Sequence, residues 1–520
     1  MSKKIKNSLG VELPEYIEGY GKVKPFMGAF YYYDKENYKT ASRRIKKHKP
    51  ENKKLCSSIR DAIEKTGLKD NMTISFHHHL RNGDAVLMLV VEEIAKMGIK
   101  NISICASSFT NAHDGLLEYI KSGVITSLST SGLRGEIAKE ISINNILKNP
   151  VVFRTHGGRA RAIECGEVKI DVAFIGAPAC DEEGNMNGSE GKSAFGSMGY
   201  PMVDALYAEH VIAITDNLIK YPLHRISIPQ IYVDYVVEVD SLGDPNLIAT
   251  GATRITKNPT ELLIAEKAAN VLIGCGLIKE GFSFQAGSGG ASLAVCRYLK
   301  EYMTKNKIKG SFVSGGINAY LLELFKEGLF ESLLDTQTFD GTIANAIGNE
   351  KGYIEMSASM YANPNNGSCV AHKLDMMMLS ATEIDLNFNV NSITGSHGII
   401  MGAIGGAPDT AAGSKVTLMT VPSIRKRMPI ITDKVTNIVT PGDTVDILVS
   451  DRGVCVNPKR KDLADEFDKN YIERMDIKDL YDDIISLTGV PDKVQFNDNI
   501  VGVIEYRDGS VIDIIYQVKQ

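Results

Sequence analysis

The sequence predicts an α/β protein with two similar open, mostly parallel-sheet domains that face each other across a cleft. From residue 55 onward, strand-like and helix-like patterns alternate, which is typical of parallel sheets covered by helices. The same order of patterns recurs about two hundred residues later in the chain. Residues 74–76 correspond to residues 282–284, residues 98–101 loosely to residues 307–310, and residues 116–123 to residues 321–328. We interpret the recurrence as an internal duplication.

The domain boundaries follow from breaks in these patterns. A chain of 520 residues is expected to form two or three domains. Residues 1–54 lack sustained periodicity and are interpreted as an N-terminal extension, whose basic segment 39–54 is either a solvated face or a docking patch for an acidic partner. Gly243, Asp244 and Pro245 then break a strand pattern. The first domain is therefore predicted over residues 55–245 and the second over residues 246–520.

The composition excludes several classes of protein. The net charge of −5 argues against general nucleic-acid binding. No apolar run approaches the ~20 residues of a membrane span, and the basic N-terminus lacks the apolar stretch of a signal peptide. The eight Cys include no C-x-x-C pair, so the sequence indicates neither a zinc site nor a disulfide framework and fits a reducing cytoplasm.

The first domain begins with a strand that leads into a run of histidines. Residues 72–76 alternate as a strand does, His77, His78 and His79 follow, and a turn containing Arg81 leads into a helix predicted over residues 85–97. A strand at 101–106, a helix at 115–123 and a strand at 124–131 lead to a second turn, which contains Arg134. Both turns are expected at the carboxyl ends of strands, where open α/β sheets bind ligands.

The second domain contains a Gly-rich turn between a short strand and a helix. The strand ends at Gln285, small residues occupy positions 286–290, and a helical pattern begins at Ala291. Such a turn points several backbone N–H groups at one spot, and the helix dipole adds partial positive charge there. The spot can hold a phosphate, a carboxylate or a developing oxyanion, although tight βα connections without a ligand also have this pattern. We call residues 285–290 the first glycine loop; its candidate donors are Gly287, Ser288, Gly289 and Gly290.

At this level of detail the sequence resembles the coenzyme A-transferase superfamily, and most closely its citrate lyase α-subunit family. The resemblance runs from about Leu55 to the end of the chain. The superfamily pattern lies in residues 170–185, 208–213, 285–290, 380–391 and 402–409, the last of which form a second glycine loop with Gly405 and Gly406. The closer match lies in residues 75–78, 81–84, 130–135, 251–254 and 506–513.

The resemblance implies two domains of coenzyme A-transferase type and a citrate coenzyme A-transferase activity. In this family the α subunit exchanges acetate for citrate on a thioester, which is either that of the phosphoribosyl-dephospho-coenzyme A arm of an acyl carrier (γ) subunit or acetyl-coenzyme A. The β subunit then cleaves the citryl thioester. The expected partners are therefore citrate, acetate and the β and carrier subunits of an oligomeric cytoplasmic complex, with no tightly bound cofactor, no metal, no nucleic acid and no membrane.

The candidate site residues suit that chemistry. Each carbonyl attack develops negative charge on oxygen, which N–H donors of the glycine loops could stabilise by roughly 3 kcal/mol per donor. Citrate has three carboxylates, and Arg can bind a carboxylate in a bidentate fork. The candidate citrate-binding residues are His77, His78, Arg81, Arg134 and Arg254.

The histidine run permits other interpretations. Adjacent residues on a strand point to opposite faces, so only His77 and His79 could converge on a metal, and no acidic or Cys cluster accompanies them. Citrate binding and a hydrogen-bonded structural role both stay open. His113 and His156 are weaker loop candidates, and the run of methionines at 376–378 is interpreted as a buried strand.

Two alternative functions compete with citrate transfer. Another coenzyme A-transferase or an acyl-coenzyme A hydrolase would use a covalent glutamyl thioester, but residues 315–320, where the resemblance places that glutamate, contain no carboxylate. The nearest acid, Glu323, is expected to face solvent or to pair with Lys326. A sugar-phosphate sensor domain is possible by fold analogy alone, and no basic helix-turn-helix pattern supports it.

Overall fold

The fold was analysed in a computed structural model of the chain, which describes residues 3–31, 49, 51–248, 255–287 and 290–519. Most of the basic segment 39–54 lies outside the described residues, as do the candidate residues Arg254, Ser288 and Gly289.

The first of two large sheets has ten strands and is parallel except for its terminal hairpin. The strand Thr73–Phe76 lies near its centre, and the next three strands of the chain lie on one side of it. In spatial order the strands are Val511–Val518, Phe496–Glu505, Val151–Phe153, Ile125–Thr130, Ile102–Ala106, Thr73–Phe76, Val172–Gly176, His210–Thr215, Tyr235–Glu238 and Leu55–Cys56.

The second sheet has eight strands and repeats this topology. Its first strand in sequence, Ser283–Gln285, is central, and the chain again places three strands on one side before it crosses to the other. In spatial order the strands are Tyr353–Glu355, Phe330–Asp335, Gly310–Gly315, Ser283–Gln285, Met376–Leu379, Val416–Thr420, Ile447–Val449 and Val454–Val456. The predicted fold class of two similar, mostly parallel-sheet domains is confirmed, as is the buried strand that contains Met376.

Each large sheet is accompanied by a three-stranded sheet of the same connectivity. These smaller sheets are formed by Met186–Asn187, Ala179–Asp181 and Leu218–Ile219, and by Val390–Asn391, Glu383–Asp385 and Ile431–Thr432. In each, an aspartate closes the first turn by accepting a backbone N–H four residues ahead: Asp181 from Asn185, and Asp385 from Asn389, both at 3.0 Å. The duplication therefore extends to individual turn residues.

Helices cover the sheets, and their ends follow local sequence signals. Ser58 accepts a hydrogen bond from the backbone N–H of Asp61 and begins one helix, which ends at Gly67 in the left-handed region (φ +69°). Asn258 caps another helix ahead of Pro259. The α-helices of the first domain are Ile59–Thr66, Val86–Lys96, Leu116–Lys121, Gly135–Asn144, His156–Glu164 and Gly199–Tyr207. Those after it are Pro245–Ile248, Pro259–Gly274, Gly290–Asn306, Ala319–Lys326, Ala358–Ala362, Ala407–Gly413, Lys461–Lys469 and Ile477–Thr488.

The predicted register of the duplication is wrong by two residues. The backbone N–H of Thr73 donates to Asp171 (2.8 Å), and that of Ser283 donates to Asp375 (2.9 Å), so these pairs are equivalent. Ile74 therefore corresponds to Phe284 rather than to Phe282. Strand side chains alternate with a period of two, so a shift of two residues preserves the pattern and cannot be detected from it. The corrected register places residues 77–79, the histidine loop, where the second domain has residues 287–289.

The predicted extent of the second domain also requires a correction. The last two strands, Phe496–Glu505 and Val511–Val518, leave the second domain and pair with Val151–Phe153 of the first sheet. The N-terminal extension packs on this hairpin through Leu13, Ile17 and Val23, and the side-chain amide of Asn7 donates to the carbonyl of Ile512 (2.6 Å). The hairpin alternates like any edge strand, so its sequence does not show which of two similar sheets it extends.

The described helices do not include a candidate membrane span, because none combines sufficient length with sufficient apolar character. The eight cysteines are all buried and free.

Candidate active site

The carboxyl ends of the two central strands lead into the histidine loop in the first domain and into the first glycine loop in the second. In the histidine loop, Nε2–H of His77 donates to the carbonyl of Gly176 (3.0 Å), which leaves Nδ1 of His77 to accept from Nδ1–H of His79 (3.1 Å). His77 and His79 therefore converge, as the sequence predicted, but they bind each other. Among the described residues, no group of three His, Cys, Asp or Glu side chains is arranged to hold a metal ion.

His78 connects the two domains. Its backbone N–H donates to the Ser107 hydroxyl (3.0 Å), and that hydroxyl can donate to Nδ1 of the ring (2.6 Å). The opposite ring nitrogen, Nε2, lies 3.0 Å from Oε1 of Gln337 in the second domain. These contacts assign the proton to Nε2 in the neutral ring.

Aromatic rings fill the space around the histidine loop. The Tyr200 ring lies between those of His78 (5.1 Å between centroids), His79 (5.1 Å) and His156 (4.5 Å). His156 is the first residue of the helix His156–Glu164 and is half-buried, and its Nδ1 has no hydrogen-bond partner among the described residues. A sequence candidate regarded as weak is thus at the centre of the cluster.

These imidazoles are held in their neutral form. Burial lowers the pKa of His77 and lowers those of His78 and His79 well below the ordinary value. Burial, together with the charge of the Arg159 guanidinium, lowers the pKa of His156 to about 3. At neutral pH these rings are therefore uncharged, so any positive charge for a bound anion must come from arginine.

Two of the three candidate arginines lie beside this cluster. Arg134 precedes the helix Gly135–Asn144, is exposed, and makes no hydrogen bond or ion pair with another described residue. Its charge lowers the pKa of His78, so it lies within electrostatic reach of that ring. Arg81 is half-buried in a left-handed backbone conformation (φ +54°), and its guanidinium donates to the carbonyl of Thr338 in the second domain. Arg254 lies outside the described residues.

The first glycine loop has the predicted strand–turn–helix geometry. The strand Ser283–Gln285 ends one residue before Ala286, and a 17-residue helix begins at Gly290, so its N-terminal N–H groups point toward the loop. A side-chain carbon at Gly287 would lie 3.2 Å from Oγ of Ser292. The loop therefore has little room for a larger residue at this position.

The second glycine loop is docked on the first domain. The N–H of Gly405, which has φ +56°, donates to the carbonyl of Ser131 (3.3 Å), and the N–H of His156 donates to the carbonyl of Gly405 (2.9 Å). Gly406 caps the helix Ala407–Gly413. A side-chain carbon at Gly405 would lie 3.9 Å from Nε2 of His156, so this loop borders the histidine and tyrosine cluster.

A buried tyrosine connects the two glycine loops. The side-chain amide of Gln285 donates to the Tyr361 hydroxyl (3.0 Å), and a side-chain carbon at Gly406 would lie 2.7 Å from the same hydroxyl. Sequence reasoning placed Gln285 at the start of the first glycine loop without giving it a role of its own, and it did not identify Gln337, Tyr200 or Tyr361 as site residues. No motif marks these three, because their role depends on contacts between segments that are far apart in the chain.

Other motif residues are structural. Nε2–H of His113 donates to the buried Asp84 carboxylate (3.0 Å), which also accepts the N–H of Val86. A side-chain carbon at Gly83 would lie 2.5 Å from the carbonyl of Asp244. This part of the motif at residues 81–84 therefore holds the connection between the domains in place.

A sequence model described as "Citrate lyase, alpha subunit (CitF)" matches residues 52–518. The chain belongs to the citrate lyase α-subunit family. It is 49% identical over 467 residues to the citrate lyase alpha chain of Haemophilus influenzae, an alignment that covers 90% of this chain and 93% of that one. The family and the enzyme class expected from the sequence are thus confirmed.

Solved structures show the same relationship. The citrate lyase α subunit of Streptococcus mutans, solved in complex with citrate, superimposes with a TM-score of 0.95 at 48% identity and covers 99% of this chain and 100% of that one. A 4-hydroxybutyrate CoA-transferase from Porphyromonas gingivalis has a TM-score of 0.54 at 17% identity, covering 83% of this chain and 97% of its own. The second similarity shows the fold alone, which is that of a coenzyme A-transferase.

Proposed function

We propose that this member of the citrate lyase α-subunit family binds citrate between its two domains and exchanges it for the acetyl group of a thioester. The observation that carries the proposal is the convergence at one interdomain position of two glycine loops, a cluster of neutral histidines and Arg134, an arginine without a hydrogen-bond or ion-pair partner among the described residues. The citrate complex of the Streptococcus mutans relative supports citrate as the ligand.

Citrate binding is assigned to the histidine side of the site. Arg134 supplies a guanidinium without an internal partner among the described residues, and Arg81 supplies a second positive charge nearby. His156 offers a ring nitrogen that has no hydrogen-bond partner among the described residues, and His77 orients His79 behind it. His78 remains a candidate from the sequence, with its ring N–H directed at Gln337. Arg254 remains a candidate from the sequence.

The glycine loops are assigned to the reacting carbonyl. The N–H groups of Gly287 and of Gly290, where a long helix begins, and that of Gly406, at the start of a second helix, are suited to stabilise an oxyanion. Ser288 and Gly289 remain candidates from the sequence, and the N–H of Gly405 already donates to the carbonyl of Ser131. Because the Gln285–Tyr361 contact holds the two loops in register, both can act on one carbonyl group.

We propose direct transfer without a protein thioester. A citrate carboxylate oxygen attacks the acetyl carbonyl and the C–S bond breaks. The thiolate departs, and the product is a mixed anhydride of citrate and acetate. The thiolate then attacks the citryl carbonyl, and acetate leaves. Residues 315–320 contain no carboxylate, and Asn318 caps the following helix by accepting the N–H of Leu321 (3.0 Å). Glu323 is exposed, which is one of the two outcomes expected from the sequence, and it pairs with Lys300 rather than with Lys326.

The proposed thiol is that of the phosphoribosyl-dephospho-coenzyme A arm of an acyl carrier subunit. Acetyl-coenzyme A is proposed to replace the acetylated arm as a free substrate. The proposed partners are the carrier subunit, the β subunit that cleaves the citryl thioester, and further copies of this chain. The buried free cysteines are compatible with a reducing cytoplasm, which we propose as the location.

A thioester-exchange assay tests the proposal. The purified chain is incubated with acetyl-coenzyme A and either citrate, butyrate or no acceptor, and thioesters and free acetate are measured by mass spectrometry. We expect citryl-coenzyme A and one equivalent of acetate with citrate alone. Butyryl-coenzyme A as the main product would favour another coenzyme A-transferase, and acetate release without an acceptor would favour a hydrolase.

A further inference from the structure

Three consecutive residues of the first domain are tied to the second glycine loop and its helix. The Thr155 hydroxyl donates to Oδ1 of Asp409 (2.9 Å), and the N–H of Gly157 donates to Oδ2 of the same carboxylate (2.9 Å). Between them, the N–H of His156 donates to the carbonyl of Gly405 (2.9 Å). The residues on both sides of His156 therefore donate hydrogen bonds to one carboxylate of the other domain.

The position and the surroundings of Asp409 suit it to accept both of these hydrogen bonds. It lies in the first turn of the helix Ala407–Gly413, and its side chain is fully buried. Burial raises the pKa of Asp409 to about 6, and the neighbouring Arg507, whose Nε lies 3.6 Å from Oδ1, opposes this rise. The group is therefore ionised at neutral pH and can accept on both oxygens.

The two domains are in close contact at Gly157. A side-chain carbon at Gly157 would lie 2.0 Å from the carbonyl of Ala362 and 2.7 Å from Oδ1 of Asp409. The first turn of the His156–Glu164 helix is therefore pressed directly against the second domain. A small displacement of either partner moves the His156 ring relative to Gly405 and Tyr200.

We propose that Asp409 is the positioning residue for His156, which it holds against the second glycine loop in the geometry that binds citrate. This inference rests on the proposed function, because it requires that His156 binds citrate. Asp409 itself has no contact with substrate and acts only through His156. Arg507 supports the arrangement from the C-terminal hairpin, so the crossover of that hairpin to the first domain contributes indirectly to the site.

The matched control is Asp513. Asp513 is also buried, and burial likewise raises its pKa to about 6. It also links the domains, because it accepts the backbone N–H of Ile438 (2.8 Å) and the side-chain amide of Asn437 (3.3 Å). It makes none of the contacts with residues 155–157. Asp409→Ala and Asp513→Ala should therefore lower the melting temperature similarly, while only the first should affect citrate.

The test combines these variants with His156→Gln. Citrate affinity is measured by titration calorimetry on the full chain, and exchange is measured with acetyl-coenzyme A. We expect Asp409→Ala to weaken citrate binding about tenfold, because small misplacements of binding groups are costly, and Asp513→Ala to change it less than about twofold. In the His156→Gln background, Asp409→Ala should cause no further loss.

Independent, multiplicative losses from Asp409→Ala and His156→Gln would overturn the proposal, as would an equal loss from Asp513→Ala. If Asp409→Ala does not fold, Thr155→Val and Thr155→Ser decide: the valine should weaken citrate binding only when His156 is present, and the serine should restore it. An inactive wild-type chain would instead refute the proposed function.

Discussion

The Gln285 amide and the Tyr361 hydroxyl form a buried hydrogen bond of 3.0 Å that joins the central strand of the second sheet to the helix Ala358–Ala362. Gln285 opens the first glycine loop, and the same hydroxyl limits the space at Gly406 in the second loop. One phenol therefore sets the spacing between the two groups of N–H donors. Its effect on catalysis can be separated from its effect on stability.

Tyr361→Phe should lower kcat for citrate exchange about tenfold while the KM for citrate changes little, because oxyanion donors act on the transition state. The unpaired Gln285 amide should also cost about 1–3 kcal/mol of stability. Steady-state kinetics and urea unfolding measure both quantities. Tyr20→Phe is the control, because it removes another tyrosine hydroxyl that makes a partly buried hydrogen bond, to Glu505 (2.8 Å), away from the site. A loss confined to stability in both variants would contradict the assignment.

Gly406→Ala should reduce exchange by a factor of about one hundred, since the added carbon lies 2.7 Å from the Tyr361 hydroxyl and the loop must shift. The matched control is Gly367→Ala, at an exposed position with nothing within 4 Å of the added carbon and without a left-handed backbone. The rates of both variants are compared at saturating citrate. Equal activity in the two variants would remove the second loop from the site.

Arg134→Ala should raise the KM for citrate about tenfold or more and leave the KM for acetyl-coenzyme A and the melting temperature nearly unchanged, because its guanidinium has no internal partner among the described residues. Arg60→Ala, which removes an exposed arginine that pairs with Glu93, is the control. Similar losses for both substrates would show that Arg134 does not bind citrate.

Arg81→Ala should affect both binding and stability. The Arg81 guanidinium donates to the carbonyl of Thr338 across the domain boundary, so its removal leaves a cross-domain contact unmade as well as removing charge from the citrate site. We expect weaker citrate use together with a lower melting temperature. A variant that has normal stability and a citrate defect alone would indicate that the Thr338 contact contributes little.

His156→Gln should make the protein less sensitive to acid. The pKa of His156 is about 3 in the folded chain, against about 6.5 when unfolded. Below pH 6.5 the unfolded chain therefore binds a proton that the folded chain does not, and stability falls by about 1.4 kcal/mol per pH unit for this group. Between pH 6.5 and 3, the free energy of unfolding of the variant should therefore fall less steeply with decreasing pH than that of the wild type. Above pH 6.5 the two slopes should be equal.

Urea unfolding at several pH values measures this slope. His224→Gln, at an exposed histidine, is the control and should leave the slope as in the wild type. Parallel pH profiles for the wild type and His156→Gln would mean that the His156 ring is protonated in the folded chain.

Direct transfer predicts sequential kinetics and no thioester on the protein. The chain is incubated with acetyl-coenzyme A alone, treated with borohydride or hydroxylamine, and digested for mass spectrometry. No modified carboxylate is expected, because residues 315–320 offer none. Ping-pong kinetics, or a trapped adduct on Glu323 or on any other carboxylate, would establish a covalent route instead.

Much of the fold could be predicted because its signals are local. Alternation of residue types marked strands such as Thr73–Phe76, and Gly123, which has φ +74°, marked the end of the helix predicted over residues 115–123 and observed as Leu116–Lys121. The two-residue error in the register, Ile74 against Phe284, arose because strand periodicity repeats every two residues. Only the aspartates at positions 171 and 375, which bind equivalent backbone N–H groups in the folded chain, resolve it.

By itself the sequence determined the two-domain α/β architecture, the glycine loops and the family, because each depends on patterns within short segments. Only the tertiary structure decided that the last hairpin joins the first sheet, that His156 lies beside Gly405, and that Tyr361 connects both loops. These relationships join residues separated by up to several hundred positions. Their energies come from burial and from hydrogen bonds between distant segments, and neither is encoded in the local periodicity of the chain.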